Sequence, residues 1–272
     1  MDREWKPTYV VPLLSMAGND LACTVMEFDT NSPGDFFVGS FDGELCNANF
    51  TLAEGVDNPD FTNSISRPHC GPVVCLARSP YFPDLLLSVG DSSFHLWKAG
   101  SALPLFTAGY ANERYTAAVW SPTRQAVLFL GLADGSIQCW DLLDRSHEAA
   151  LHVNVCSTAI CTLSFNTVAA TEKAQLLAVG DAEGMLRIAE VPSTLRRTGA
   201  GEHQQMTRFL DTETAKVADL EARQVRSILV MAFSTFSFGN LRYSAVAVQS
   251  VKSTTIVCYS ERTTAEPNRS AW

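Results

Sequence analysis

FVGSFDGELCNA (37–48), LSVGDSSFHLWK (87–98), FLGLADGSIQCWD (129–141) and LAVGDAEGMLRIAE (177–190) are one motif written four times. Each copy holds an apolar run, a glycine, a short polar turn and an alternating apolar stretch. The anchor glycines fall at Gly39, Gly90, Gly131 and Gly180, which are 51, 41 and 49 residues apart. Alternation with a period of two on both sides of a turn predicts paired antiparallel strands. Asp42-Gly43, Asp134-Gly135 and Glu183-Gly184 supply the residue that a tight hairpin needs at positive φ. A unit this short cannot bury an apolar face by itself, so recurrence predicts neighbouring copies that cover one another.

Working outward, each copy is preceded by one more β-prone segment: CTVMEF (23–28), VVCLARS (73–79), TAAVWS (116–121) and ICTLSF (160–165). Loop chemistry separates the two, with Ser32-Pro33-Gly34, Ser79-Pro80 and Ser121-Pro122. The shared glycine, turn and strand select a WD-repeat β-propeller over a sandwich, which has no reason to repeat one motif. The expected fold is therefore all-β, with about four blades in an incomplete ring, followed by an amphipathic helix. Gly39, Asp42, Gly43, Gly90, Trp97, Gly131, Asp134, Gly135, Trp140, Asp141, Gly180 and Gly184 are its repeat positions. Trp97 and Trp140 occupy equivalent places, where Ala48 and Ala189 stand in the other copies. Each indole should pack between sheets and find a partner for its N–H. His69, just before Gly71-Pro72-Val73-Val74, is expected to make a loop-to-strand hydrogen bond. Four blades leave open sheet edges with exposed apolar surface.

Composition excludes several function classes. With 46% hydrophobic and 18% charged residues over 272, the chain is an ordered globular protein. A net charge of −9 argues against a phosphate backbone as partner, so no nucleic acid is expected. No apolar run reaches the ~18 residues of a membrane span, and MDREWKPTYV has no signal-peptide stretch. Residues 1–272 thus read as cytoplasmic. Eight cysteines include no C-x-x-C pair, and Cys75, Cys139 and Cys161 fall inside expected strands as small apolar groups. No metal or other cofactor is expected. Nor does the chain hold a G-x-S-x-G elbow, a phosphate-binding G-x-x-x-x-G-K loop or an H-E-x-x-H pair, so no enzyme is expected.

Five segments follow. Residues 1–20 read as the remnant of a preceding blade or a linker, 21–191 as four blades and 192–202 as a Gly/Ser/Thr-rich linker. Residues 203–226 read as an amphipathic helix with Met206, Leu210, Val217 and Leu220 on one face, which would lie against a propeller face or, as a partner-facing helix, against a partner; a solvated capping helix is the alternative. Residues 227–272 form a β-prone tail without blade grammar, which either adds strands to an open edge or is foreign to the rest.

The segments 69–100 and 121–151 and the stretch LRIAEVPSTLRR (186–197) resemble axonemal dynein intermediate chains with WD repeats. The nearest branch is the intermediate chain of the two-headed inner-arm dynein, and the resemblance runs from about residue 20 to 225. It implies a C-terminal fragment of a non-catalytic scaffold in a ciliary or flagellar motor of the axonemal cytoskeleton. The implied partners are a dynein heavy chain, dynein light chains bound by the complex, and the other intermediate chain. Two departures stand out: Ser92 replaces a turn tryptophan, and Ala189-Glu190 replaces a closing Trp-Asp. The alternative is a WD-repeat adaptor of another complex, such as a ubiquitin-ligase substrate receptor.

Overall fold

Alternating apolar residues and tight polar turns give this chain its strands in successive antiparallel groups. A computed structural model describes residues 10–30, 32, 34–51, 61–109, 112–166, 175–235, 243–250 and 253–260, with side chains through Arg226. The first antiparallel sheet runs β1 (Cys23–Phe28), β2 (Asp35–Ser40), β3 (Leu45–Asn49) and β4 (Thr62–Ser66) in chain order. The second follows with β5 (Cys75–Arg78), β6 (Leu85–Val89), β7 (Ser93–Lys98) and β8 (Phe106–Gly109). The third holds β9 (Tyr115–Trp120), β10 (Val127–Leu132), β11 (Ser136–Asp141) and β12 (Leu151–Asn154). The fourth has three strands, β13 (Ile160–Phe165), β14 (Leu176–Asp181) and β15 (Leu186–Glu190). These are four blades of a partial propeller, each a meander closed by short turns.

After them come α1 (Ser193–Arg196), α2 (Glu202–Thr235) and a hairpin of β16 (Tyr243–Ser250) with β17 (Ser253–Ser260). The chain divides into two units, residues 1–215 and 216–272. The first holds the four sheets and the start of α2; the second holds the rest of α2 and the hairpin, whose two strands pair with each other. Residues 1–9 and 261–272, at the outer ends of the expected blade remnant and tail, lie outside the described residues.

Strand register sorts the side chains onto two kinds of face. In the third sheet, Leu128 pairs with Trp140 and Leu130 with Gln138, while Phe129 pairs with Cys139 and Gly131 with Ile137. Leu128 and Trp140 belong to the face turned to the second sheet, where Trp140 meets Phe94 edge-on at 5.0 Å. Phe129, Ile137 and Cys139 join Leu163, Phe165, Leu177 and Val179 of the fourth sheet in one buried cluster. The first and second sheets meet likewise, through Leu45 with Val73, Leu76, Leu86 and Trp97. Burial of this kind contributes roughly 1.5–3 kcal/mol for each large apolar side chain.

The anchor glycines owe their places to this stacking. A Cβ on Gly39 would lie 2.6 Å from Val73 Cγ1, and one on Gly131 would lie 2.7 Å from Ile160 Cγ2. Val73 and Ile160 belong to the segments that enter the next sheet. Each β-branched side chain thus sits directly over a glycine of the sheet before it. Turns carry the second link: Val73 N–H donates to Ser40 O, Tyr115 N–H to Asp91 O and Cys156 N–H to Gly135 O. Gly135 has φ +83°, and a Cβ there would fall 2.1 Å from Cys156 O.

The first sheet is covered on its other side by the chain just before it. Leu13 and Leu21, with Val11 beside them, pack on Phe36, Val38, Cys46 and Ala48. Within the described part of residues 1–20 the regular pairing is a single bridge, Leu14 to Asp20, so this piece is a cover of irregular backbone.

Segment 192–202, expected as a linker, is tied down. Thr198 Oγ1 donates to Thr123 O, and Arg124 donates to Thr194 O. Glu202, with its side chain 2% exposed, accepts from Arg124 Nε at 3.1 Å, Gln125 N at 2.9 Å and Gly199 N at 3.2 Å. Arg124 in turn reaches Asp141 at 2.6 Å. Helix α2 is thereby latched to the third sheet at its first residue, and it runs past the expected end at 226 to Thr235.

Two measurements probe this wiring. Glu202→Ala leaves buried N–H groups and Arg124 short of a partner, so chemical denaturation should show a loss of about 2–4 kcal/mol. Gly135→Ala meets both left-handed backbone and a carbonyl, and should cost about 2 kcal/mol or more. Gly184→Ala, at φ +81° with nothing within 4 Å, should cost only about 1 kcal/mol. Equal losses at the two glycines would remove the packing argument.

Candidate interaction surface

The reactive side chains of the stack are engaged inside it. In the second sheet His69 Nε2 lies 2.9 Å from Ser88 Oγ, which also accepts the Trp97 indole N–H at 2.9 Å. His95 Nδ1 lies 2.8 Å from Thr107 Oγ1, and the two imidazole rings meet edge-on at 4.5 Å. With Trp97 donating, the Ser88 hydroxyl has its own proton for His69 Nε2. A Cβ on Gly90 would collide with the His69 ring, which explains that glycine as well. In the third sheet the Trp140 indole donates to Gln138 Oε1 at 3.2 Å, which also accepts from Tyr115 Oη at 3.0 Å.

Burial lowers the pKa of His69 to about 3, with the neighbouring His95 adding to the effect. His95 is lowered to about 4, again chiefly by burial. The Cys139 thiol responds in the opposite sense, burial pushing it up to about 12. These are inert packing groups, not nucleophiles.

The repeat positions occupy three kinds of place. Gly39 and Gly131 receive side chains from the next sheet, whereas the nearest atom to a Cβ on Gly180 is Thr162 Cγ2 of its own sheet. Gly43, Gly135 and Gly184 form the tight turns at positive φ. Asp42 stands exposed on the rim, and Asp134 Oδ1 accepts from the backbone and hydroxyl of Ser136. Trp97, Trp140 and Asp141 are buried at 7%, 3% and 5% exposure. Asp141, the partner of Arg124, is thus part of the helix latch and not of the rim.

Of the two places expected for the apolar face of the helix, the start of α2 takes the sheet face. Met206 is fully buried, Leu210 half-buried and Val217 buried, so of the four expected partner-facing residues Leu220 alone stands exposed. Close to the latch, Phe209 meets Phe106 at 5.7 Å and His203 stacks on Phe82 at 5.1 Å. At Phe209 and Leu210 the helix therefore lies against the chain's own second sheet. Sequence reasoning also missed Arg124, Glu202 and Trp120, whose indole donates to Ala77 O of the second sheet. No spacing signal marks them, since Arg124 and Glu202 are 78 residues apart. The charged residue after Ser121-Pro122 and the Asp after Trp140 were the available hints.

Phe82, Leu85, Leu105, Thr207 and Leu210 help line a cleft of about 170 Å³ between the second sheet and α2. That is below the roughly 300 Å³ at which small-molecule sites begin. Among the described residues, no three His, Cys, Asp or Glu side chains are grouped to hold a metal ion, and no helix is long and apolar enough to cross a membrane. What the stack offers to a partner is its surface, including exposed Phe41 on the first turn and exposed aliphatic residues on the fourth sheet.

Acid should loosen the second sheet. His69 and His95 bind protons more weakly folded than unfolded, so the stability they contribute is complete above the ordinary histidine pKa near 6.5 and is lost as pH falls from there toward 4 and 3. Thermal melts between neutral and acid pH should show this fall. In His95→Gln, which copies Gln138 of the third sheet, the fall should be shallower, and an unchanged slope would rule out this origin.

Comparison with known proteins agrees with this architecture. The family model for the WD40 domain of dynein axonemal intermediate chain 3 matches residues 9–191. Dynein axonemal intermediate chain 3 of Homo sapiens is 32% identical over 197 residues, covering 70% of this chain and 22% of that protein. The 70 kDa intermediate chain of the flagellar outer arm dynein of Chlamydomonas reinhardtii is 29% identical over 199 residues, covering 72% and 34%. Dynein axonemal intermediate chain 2 of Rattus norvegicus is 28% identical over 206 residues, covering 75% and 32%. This chain therefore spans between a fifth and a third of the length of these relatives. Among solved structures, a chain of the mitotic checkpoint complex superposes with a TM-score of 0.51 at 18% identity, covering 65% of this chain and 51% of that one, a likeness of fold alone. With the family model matched across all four sheets, the chain belongs to the WD-repeat family of axonemal dynein intermediate chains.

Proposed function

We propose that this chain is a non-catalytic scaffold subunit of an axonemal dynein, working in the cilium or flagellum axoneme. The observation that carries the reading is the family match across residues 9–191, which coincides with the four stacked sheets. The internal chemistry is consistent with it, since the buried histidines, serines and indoles bond to one another within the sheets. A rigid stack with structural polar groups inside is suited to presenting a surface and not to turnover. In this reading the sheets dock on a dynein heavy chain, and the chain works in a complex with light chains and the other intermediate chain. The residues at 121–151 and 186–197 favour the two-headed inner arm over the outer arm.

Isolation of the tagged chain from ciliated cells tests the proposal. Dynein heavy and light chains should be recovered with it, and the heavy chains should be those of an inner arm. Outer-arm heavy chains in their place would overturn the arm assignment alone. Ubiquitin-ligase subunits without dynein would overturn the scaffold reading.

A further inference from the structure

The cleft between the second sheet and α2 has both of its walls fixed from elsewhere. On the sheet side Leu85 pairs with Lys98, and the Ala99 N–H donates to Asp84 O at 3.0 Å. On the helix side the Glu202 latch holds the first residue of α2. Two ring contacts, His203 on Phe82 and Phe209 on Phe106, join the helix to the sheet. Between these fixed points lies the space of about 170 Å³. A site whose walls are already in place needs little reordering to be filled.

Its lining has an apolar part and a charged part. Leu85 and Leu105, 2% and 5% exposed, supply the apolar part together with Leu210 of α2. The charged lining residues are Asp84 and Lys98 from the sheet and Asp211 from the helix. Both aspartates are exposed, and Lys98 is half-buried. Two carboxylates and one ammonium sum to a charge of −1 for the lining, within a chain of net charge −9. The sheet wall carries one charge of each sign, so the excess belongs to Asp211 on the helix.

Size and charge together select the occupant. A cavity of about 150 Å³ takes a benzene ring, which is the scale of one large side chain. A wholly apolar side chain would strip water from the carboxylates and give them no partner in return. An acidic side chain would meet two charges of its own sign. Arginine answers both parts, with an apolar stem for the leucines and a guanidinium for a carboxylate at the mouth. Lysine brings the same charge on a more strongly hydrated head, which suits a half-dry cleft less well. Arginine is also among the residues that carry most of the binding energy at interfaces, seated in pockets of this kind.

We propose that this cleft receives one arginine side chain from a segment of a partner protein, its stem against Leu85, Leu105 and Leu210 and its guanidinium at Asp211. The inference rests on the chemistry of the cleft and stands apart from the dynein reading.

Disulfide exchange on the whole chain carrying Thr207→Cys tests it, because Thr207 is exposed and lines the cleft. The new thiol is equilibrated, in excess 2-mercaptoethanol, with disulfides whose short arms end in a guanidinium, an ammonium, an isobutyl group or a carboxylate. Tethering raises the effective concentration of each arm, so the seating of a single side chain becomes measurable. Mass spectrometry of the modified peptide separates this adduct from those at the exposed Cys23, Cys70 and Cys161. Pro83→Cys, on the other wall, replaces Thr207→Cys if circular dichroism shows that variant unfolded. The guanidinium arm should be retained at least about threefold more than each of the others, and adding Asp211→Asn should remove most of that advantage. Equal retention of the isobutyl arm would make the cleft a plain apolar slot, and preference for the carboxylate arm would make Lys98 its governing charge. Either result would overturn the proposal, as would an ammonium arm held as well as the guanidinium. A guanidinium preference that survives Asp211→Asn would trace to the acidity of the whole chain and would overturn it too.

Discussion

Two of the three contacts between sheets depend on one close approach: a β-branched side chain lying directly on a glycine of the preceding sheet. Val73 over Gly39 and Ile160 over Gly131 leave no room for a Cβ. The approach sets the spacing between sheets, and that spacing lets Leu45 reach Leu86 and Phe129 reach Phe165. Turn carbonyls at Ser40, Asp91 and Gly135 accept N–H groups from the same entering segments, which removes the remaining freedom to slide. Packing and hydrogen bonding therefore act on one short stretch in each copy.

Polar groups inside the stack serve the same end. Ser88 gathers His69 and Trp97, so a loop, an inner strand and an outer strand are joined at one hydroxyl. Gln138 does this work in the third sheet with Tyr115 and Trp140. Arg124 carries the order outward, joining Asp141 at the end of a strand to Glu202 at the start of α2. Bonds of this kind, made in the dry interior between side chains far apart in sequence, hold the strands in one arrangement.

Much of this was legible in the chain. The four copies of the motif mark the strands and the turns, because period-two alternation and Asp-Gly pairs carry local physical meaning. Trp97 and Trp140 announced themselves by repeating at one place. Glu202 and Arg124 did not, because an ion pair formed across 78 residues leaves no trace in local pattern. The helix shows the same limit from the other side. An apolar stripe at Met206, Leu210 and Val217 says that something covers it, but the pattern does not say whether the cover is a partner or the chain itself.

The sequence by itself determined the repeating unit: strand, glycine, turn, strand, four times over, with an acidic surface and a family likeness carried by the residues between repeats. Those properties follow from local propensity and spacing, which neighbouring residues decide among themselves. Only the tertiary structure decided what each unit touches. It turned Gly39 and Gly131 from anchors of the repeat into sockets, drew Asp141 into a latch, and buried Met206 against its own chain. The physical reason is that contact requires two surfaces, and the second surface lies dozens of residues away.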